Sequence, residues 1–160
     1  LPILGTQESH QPTEIEIFIK NLAEVKGFDE IKSSNIAKTK DFNKFNTALN
    51  WYLNALTSDN LNNRLINLFI IVEILLGSAN HEAWKKIELP ERVALLLGQT
   101  TQERESLAEV TKDSQTKRNA IIHDGLILSN SRDILLVNDF HTIIIRVMRN
   151  ELELLKKSIN

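Results

Sequence analysis

The run LNNRLINLFIIVEILLG, residues 61–77, constrains this chain more than any other stretch. Leu61, Leu65, Leu68, Ile71, Val72 and Leu75 recur mostly at helical spacing, and further apolar residues fill the gaps between them. A helix of this kind is apolar around most of its circumference, so neighbours must cover it on several sides. It is interrupted by Asn67 and Glu73 and is too short to span a bilayer. The stretch therefore predicts the central helix of a bundle, stopped at Gly77.

The rest of the chain agrees with a helical reading. Only five glycines and three prolines are present, too few to build many hairpin turns. Helices are predicted over 13–26, 41–56, 61–76, 88–97, 101–123 and 139–157. Thr13 and Glu16 have capping-box spacing ahead of the first, and Gly27 closes it. Phe42, Phe45, Leu49, Tyr52, Leu53 and Leu56 form the stripe of the second, and 57–60 supplies N-cap residues for the third. Pro90 opens the fourth, and Gly98 follows it. The fifth is mostly polar with a narrow seam of Leu107, Val110, Ser114, Lys117 and Ile121, and Gly125 stops it. Asp139 is the expected N-cap of the last, Ile143, Val147, Leu154 and Leu155 its inner face, and Lys156 and Lys157 suit its C-terminal end. Residues 1–12 read as an arm, 28–39 as a weakly patterned stretch, and 78–86 as a connector. The state of 126–137, LILSNSRDILLV, is left open. The expected fold class is all-α, a helical bundle, with an N-terminal arm and helix over 1–40 and a helical domain over 41–160.

Composition removes several function classes. A chain of 160 residues can bury one core, and 42% hydrophobic with 25% charged residues is ordinary for a globular domain. Cysteine is absent, which excludes disulfides, thiolate zinc sites and a thiol nucleophile. The formal net charge of -2 argues against a protein that coats nucleic acid through bulk charge, so any RNA contact belongs to a local site. No signal peptide or membrane span is visible, and a cytoplasmic location is expected. The first residue is Leu rather than Met, which is compatible with a domain trimmed from something longer.

The familiar chemical signatures are missing. His10, His81, His123 and His141 do not fall at metal-ligand spacing on one helix, and there is no HExxH, phosphate-binding glycine loop or G-x-S-x-G. Neither a metal nor a cofactor is expected. Carboxylates two apart, as at Glu103 and Glu105, point to different sides of a helix and read as solvated surface. What remains is KRNAIIHDG, residues 117–125. His123 falls in the last turn of a helix, where the dipole favours imidazolium, and an imidazole that changes charge near neutrality suits acid/base work. Arg118 keeps its charge, and its planar fork matches a phosphate. Asn119 could orient either one, or bind a ribose or phosphate oxygen. An arginine, an amide and a histidine without metal ligands describe a site that cleaves RNA through its own 2′-hydroxyl. The bland alternative is a helix C-cap with a surface arginine. On one regular helix, five steps of about 100° put Arg118 and His123 about 140° apart. Either the helix loosens before Gly125, or the site is shared across a two-fold dimer axis.

RNAIIHDG resembles the signature of the HEPN superfamily: an arginine, a polar residue, a few more positions, then a histidine. RLINLFIIVEILLG (64–77), LPERVALLLG (89–98) and KRNAIIHDG (117–125) are similar in order and spacing to the Apea-like HEPN branch, over about residues 45–155. The resemblance implies a HEPN-like four-helix core with extra N-terminal and connecting helices, usually dimeric, with the active site at the dimer interface. It implies a metal-independent endoribonuclease, often in toxin–antitoxin, antiphage or RNA-processing systems, with RNA as substrate and an antitoxin or other protein as partner. Arg118 and His123 match the motif's arginine and histidine, and Asn119 its polar second position. Glu73 and Arg92 match positions in the flanking blocks. Glu73 reads either as a buried polar partner orienting the site or as a core carboxylate paired with an arginine; Arg92 reads as structural. Two positions depart from the branch. Asp124 stands between His123 and Gly125, where it would stabilise imidazolium and repel a phosphate, and Gln115 replaces an aromatic. Those departures suit the alternative of a non-catalytic HEPN module that dimerises and binds RNA, a nucleotide or a protein, as one domain of a larger chain.

Overall fold

Helices start where a side chain takes up a backbone N–H that the helix leaves unpaired. In the computed structural model, which describes residues 39–77 and 86–158, this device recurs at most helix starts. Helix α1 (Lys40–Leu56) is capped by Thr39, whose hydroxyl accepts from Phe42 N at 3.3 Å. Helix α2 (Leu61–Val72) is capped by Asn60 and runs on into one π-helical turn, Glu73–Gly77. Helix α3 (Leu89–Leu97) carries Pro90 in its first turn and ends at Gly98. Helix α4 (Thr101–Asp124) is capped by Thr100, and the Glu103 carboxylate reaches back to Gln99 N at 2.9 Å. Helix α5 (Ser131–Lys157) opens on a full capping box of Asn130 and Asp133.

The fold is an all-α helical bundle. Helix α2 packs against α1, α4 and α5, as its apolar circumference requires. Leu65, Leu68, Ile71 and Val72 are fully buried. Helix α5 is as deeply embedded, touching all four other helices and burying Val137, Phe140, Ile144, Val147 and Met148. Phe69 of α2 stacks on Phe140 of α5, with ring centroids 5.6 Å apart, and joins the two. Helix α4 buries only Leu107, Thr111 and Ser114. Thr111 satisfies its hydroxyl within the helix, on Leu107 O at 2.7 Å. The buried guanidinium of Arg92 closes the π-turn. It donates to Leu76 O at 2.8 Å and Gly77 O at 3.1 Å, and to Ile87 O at 2.8 Å, so its role is structural as expected.

Three expectations need correction. Leu154, expected on the inner face of the last helix, is 48% exposed, and Leu152 lies inside with Leu155 instead. The last helix begins at Ser131, not 139, and Asp139 is an exposed mid-helix residue. Asn130 and Asp133 do the capping, and the helix absorbs the second half of LILSNSRDILLV. Leu53 does not belong to the buried stripe of α1: it is 48% exposed. Ala48 and Ala55 take the inner face instead, because small residues let α1 approach its neighbours closely. The arm over 1–12, the helix over 13–26, the 28–39 stretch and most of the 78–86 connector lie outside the described residues. Among the described residues, no helix is long and apolar enough to cross a membrane.

Candidate functional site

Arg118 projects from α4 toward the C-terminal end of α2. Phe69 and Glu73 are four residues apart there and so share one face of α2. Glu73 Oε2 accepts from Arg118 Nη2 at 3.4 Å, and the guanidinium carbon lies 5.6 Å from the centroid of the Phe69 ring. The next residue along, Asn119, accepts from Arg118 Nη1 through Oδ1 at 3.1 Å. The guanidinium is thus held by a carboxylate, a ring face and an amide, with Nε buried and unpartnered among the described residues. Phe69 is itself locked by its stacking on Phe140. An arginine has five N–H donors, so this cradle leaves capacity for a further acceptor.

Glu73 turns out not to be buried. Its side chain is 42% exposed and that of Arg118 24% exposed, so the pair sits at the rim of the bundle. Both readings of Glu73 placed it in the interior, and that part is corrected; it does pair with an arginine, the one in the candidate motif. Glu73 begins the π-helical turn, a helix irregularity that often marks a functional position.

His123, Asp124 and Asn119 are all exposed. Helix α4 stays regular through Asp124, and Gly125 ends it in the left-handed region at φ 68°. The N–H groups of Gly125 and Leu126 both bond Ala120 O, the latter at 3.2 Å. The helix therefore does not loosen before Gly125. Within one chain Arg118 and His123 stay on different faces, about 140° apart by helix phase. The chain brings Arg118, Asn119 and Glu73 together and leaves His123 and Asp124 at the helix tip.

Sequence reasoning missed three participants. Phe69 reads as core from its periodicity, and nothing local marks it as a platform for a cation. Lys117, read as part of the α4 seam, pairs through Nζ with Asp133 Oδ1 at 3.0 Å and ties α4 to the start of α5. Burial alone would raise the Asp133 carboxyl. The Lys117 ammonium and the N–H groups of Ser129 and Asn130 outweigh it and hold the group below the usual carboxylate range. Asn62, in the first turn of α2, grips the connector that follows His123. The pattern N-S-R-D at 130–133 is the one local signal that could have revealed Asp133 as a capping residue.

Among the described residues, no group of three or more His, Asp or Glu side chains is placed to hold a metal ion. Compared with protein-family models, curated proteins and solved structures, the chain matches none.

Proposed function

We propose that this chain is a HEPN-type, metal-independent endoribonuclease that acts as a homodimer, with Arg118, Asn119 and His123 as its catalytic residues. The observation that carries the reading is the cradle of Arg118. An incidental surface arginine has no need of a carboxylate, an aromatic face and a neighbouring amide around it. His123 lies five residues further on, exposed at a cleanly capped helix end. Arg118 would neutralise the scissile phosphate while the RNA 2′-hydroxyl attacks its phosphorus. His123 would take the hydroxyl proton or return one to the departing 5′-oxygen. The products are a 2′,3′-cyclic phosphate and a free 5′-hydroxyl. DNA lacks the nucleophile and is spared.

The helix phase supports a homodimer, because a second copy can place its His123 near the first copy's Arg118 across a two-fold axis. Aliphatic side chains around the helix tip are also exposed, Ile122 at 49% and Ile127 at 76%. A toxin–antitoxin or antiphage setting, an antitoxin-like protein partner and a cytoplasmic location belong to the same reading.

The test uses purified protein and RNA in EDTA. Wild type is expected to cut RNA and leave matched DNA intact, and His123→Ala and Arg118→Ala are expected to lose at least about a hundredfold in rate. Equal cleavage by His123→Ala, or none by wild type, rejects the catalytic reading. A second reading, a HEPN module that binds RNA, a nucleotide or a protein without cutting, is favoured by the two carboxylates at the site. Glu73 already engages Arg118, and exposed Asp124 stands beside His123. RNA binding that survives Arg118→Ala and His123→Ala together, with no cleavage, favours it.

A further inference from the structure

Asn62 bridges two elements near the site through both ends of its carboxamide. Its Nδ2 donates to Leu126 O at 2.7 Å and its Oδ1 accepts from Leu128 N at 2.8 Å. These bonds run from the first turn of α2 to the connector between α4 and α5. A carboxamide presents a donor and an acceptor side by side, so it reads a carbonyl and an N–H two residues apart as a strand neighbour would. The polarity of the two backbone groups admits only one orientation of the amide. Between the two anchored groups Ile127 stands 76% exposed, whereas Leu128 is 5% exposed. The grip begins three residues after His123, just past the left-handed Gly125.

A second grip lies at the other end of α2, where Glu73 holds Arg118. The partners of Glu73 and Asn62 run in opposite order, so α2 and α4 are antiparallel here, and α2 holds the final turns of α4 at both ends. The Glu73 grip places the arginine. We infer that the Asn62 grip places the histidine: Asn62 is a positioning residue that fixes the helix tip carrying His123 and the exposed Ile127 beside it. In its catalytic consequence this rests on the ribonuclease reading; in its structural consequence it does not.

The experiment compares the full chain with Asn62→Ala and Asn62→Asp. The aspartate keeps the acceptor for Leu128 N but sets a carboxylate against Leu126 O. Asn63→Ala, an exposed neighbour, serves as control. Amide exchange at Leu128 and the His123 imidazole signals are followed by nuclear magnetic resonance. Exchange at Leu128 is expected to quicken at least tenfold in Asn62→Ala and by a smaller factor in Asn62→Asp, and the imidazole signals to shift in both, with helicity retained and the control unchanged. In EDTA, kcat for RNA is expected to fall tenfold or more with KM nearly constant, because a misplacement of about 1 Å costs on the order of a hundredfold. The pH profile of cleavage should move as well, which a loss of stability alone would not produce. Should wild type fail to cut RNA, the ribonuclease reading falls, and Asn62 is judged on the resonance data alone. Unchanged Leu128 exchange and imidazole signals in the variants overturn the inference, as does a wild-type kcat and pH profile in an active enzyme. If Asn62→Ala does not fold, Asn62→Asp is read against the same outcomes.

Discussion

Asp133 carries two duties with one carboxylate. It accepts from Ser129 N and Asn130 N to open α5, and it takes the Lys117 ammonium from α4. It is 4% exposed, whereas the Glu73–Arg118 pair sits at the rim. That difference separates their energetic weight. Removing a buried multiple acceptor leaves its donors unpaired, so Asp133→Ala is expected to cost about 2–3 kcal/mol in urea unfolding. Asp133→Asn should recover part of this and weaken the acid sensitivity. With the folded carboxyl held below its usual range, its stabilisation is present at neutral pH and is lost as pH falls through that lowered value. A half-exposed pair such as Glu73–Arg118 is worth under about 1 kcal/mol. Its importance is where it holds the guanidinium.

At the level of elements, α4 is bounded by two glycines that serve different ends. Gly125 has a φ of 68° with open space around it, so a methyl group there meets nothing and the cost is purely one of backbone conformation. Gly125→Ala is expected to lower stability by about 1–2 kcal/mol. Gly98 has ordinary backbone angles, but a methyl group would collide with Ala94 O and with Arg104 where α3 meets α4. Gly98→Ala is therefore expected to cost more than Gly125→Ala, because α3 and α4 must move apart. Thermal melts of the two variants decide this, and equal melting temperatures would contradict the assignment of causes. The same comparison explains why helix ends marked by glycine were legible in sequence. The start of α5 was not. Ile134, Leu135 and Leu136 follow one another without helical spacing, and Ile134 and Leu135 remain exposed at 47% and 61%, so periodicity emerges only further on. Asp139 happened to stand where it emerges.

At the scale of the whole molecule, a buried polar contact joins α1 to α5. Tyr52 and His141 meet at 3.1 Å between the hydroxyl and Nε2, and both are buried. Burial, with a smaller contribution from the Arg64 guanidinium, pulls His141 down to about 4. Burial pushes Tyr52 up to about 12, and Arg64 partly offsets it. The unfolded chain therefore binds the histidine proton first, and stability should fall as pH drops from about 6.5 to about 4. On the alkaline side the unfolded tyrosine ionises first, and stability should fall from about pH 10 toward 12. Urea unfolding across this range checks both limbs. His141→Gln keeps a polar partner for Tyr52 without titrating, and is expected to flatten the acid limb between those values. An unchanged acid limb would assign the loss to other groups.

Most of the helices, the apolar face of α2 and the Arg–Asn–His spacing were determined by the sequence itself, because helical periodicity, caps and motif spacing are local properties that a chain carries before it folds. Only the tertiary structure decided that Arg118 rests on Phe69 and Glu73, that Lys117 meets Asp133, and that Asn62 holds the connector after His123. Those partners lie 16 to 66 positions apart, and no local pattern encodes which of them meet. The contacts with α2 depend on α2 and α4 lying antiparallel, and Lys117 meets Asp133 because the start of α5 folds back against α4.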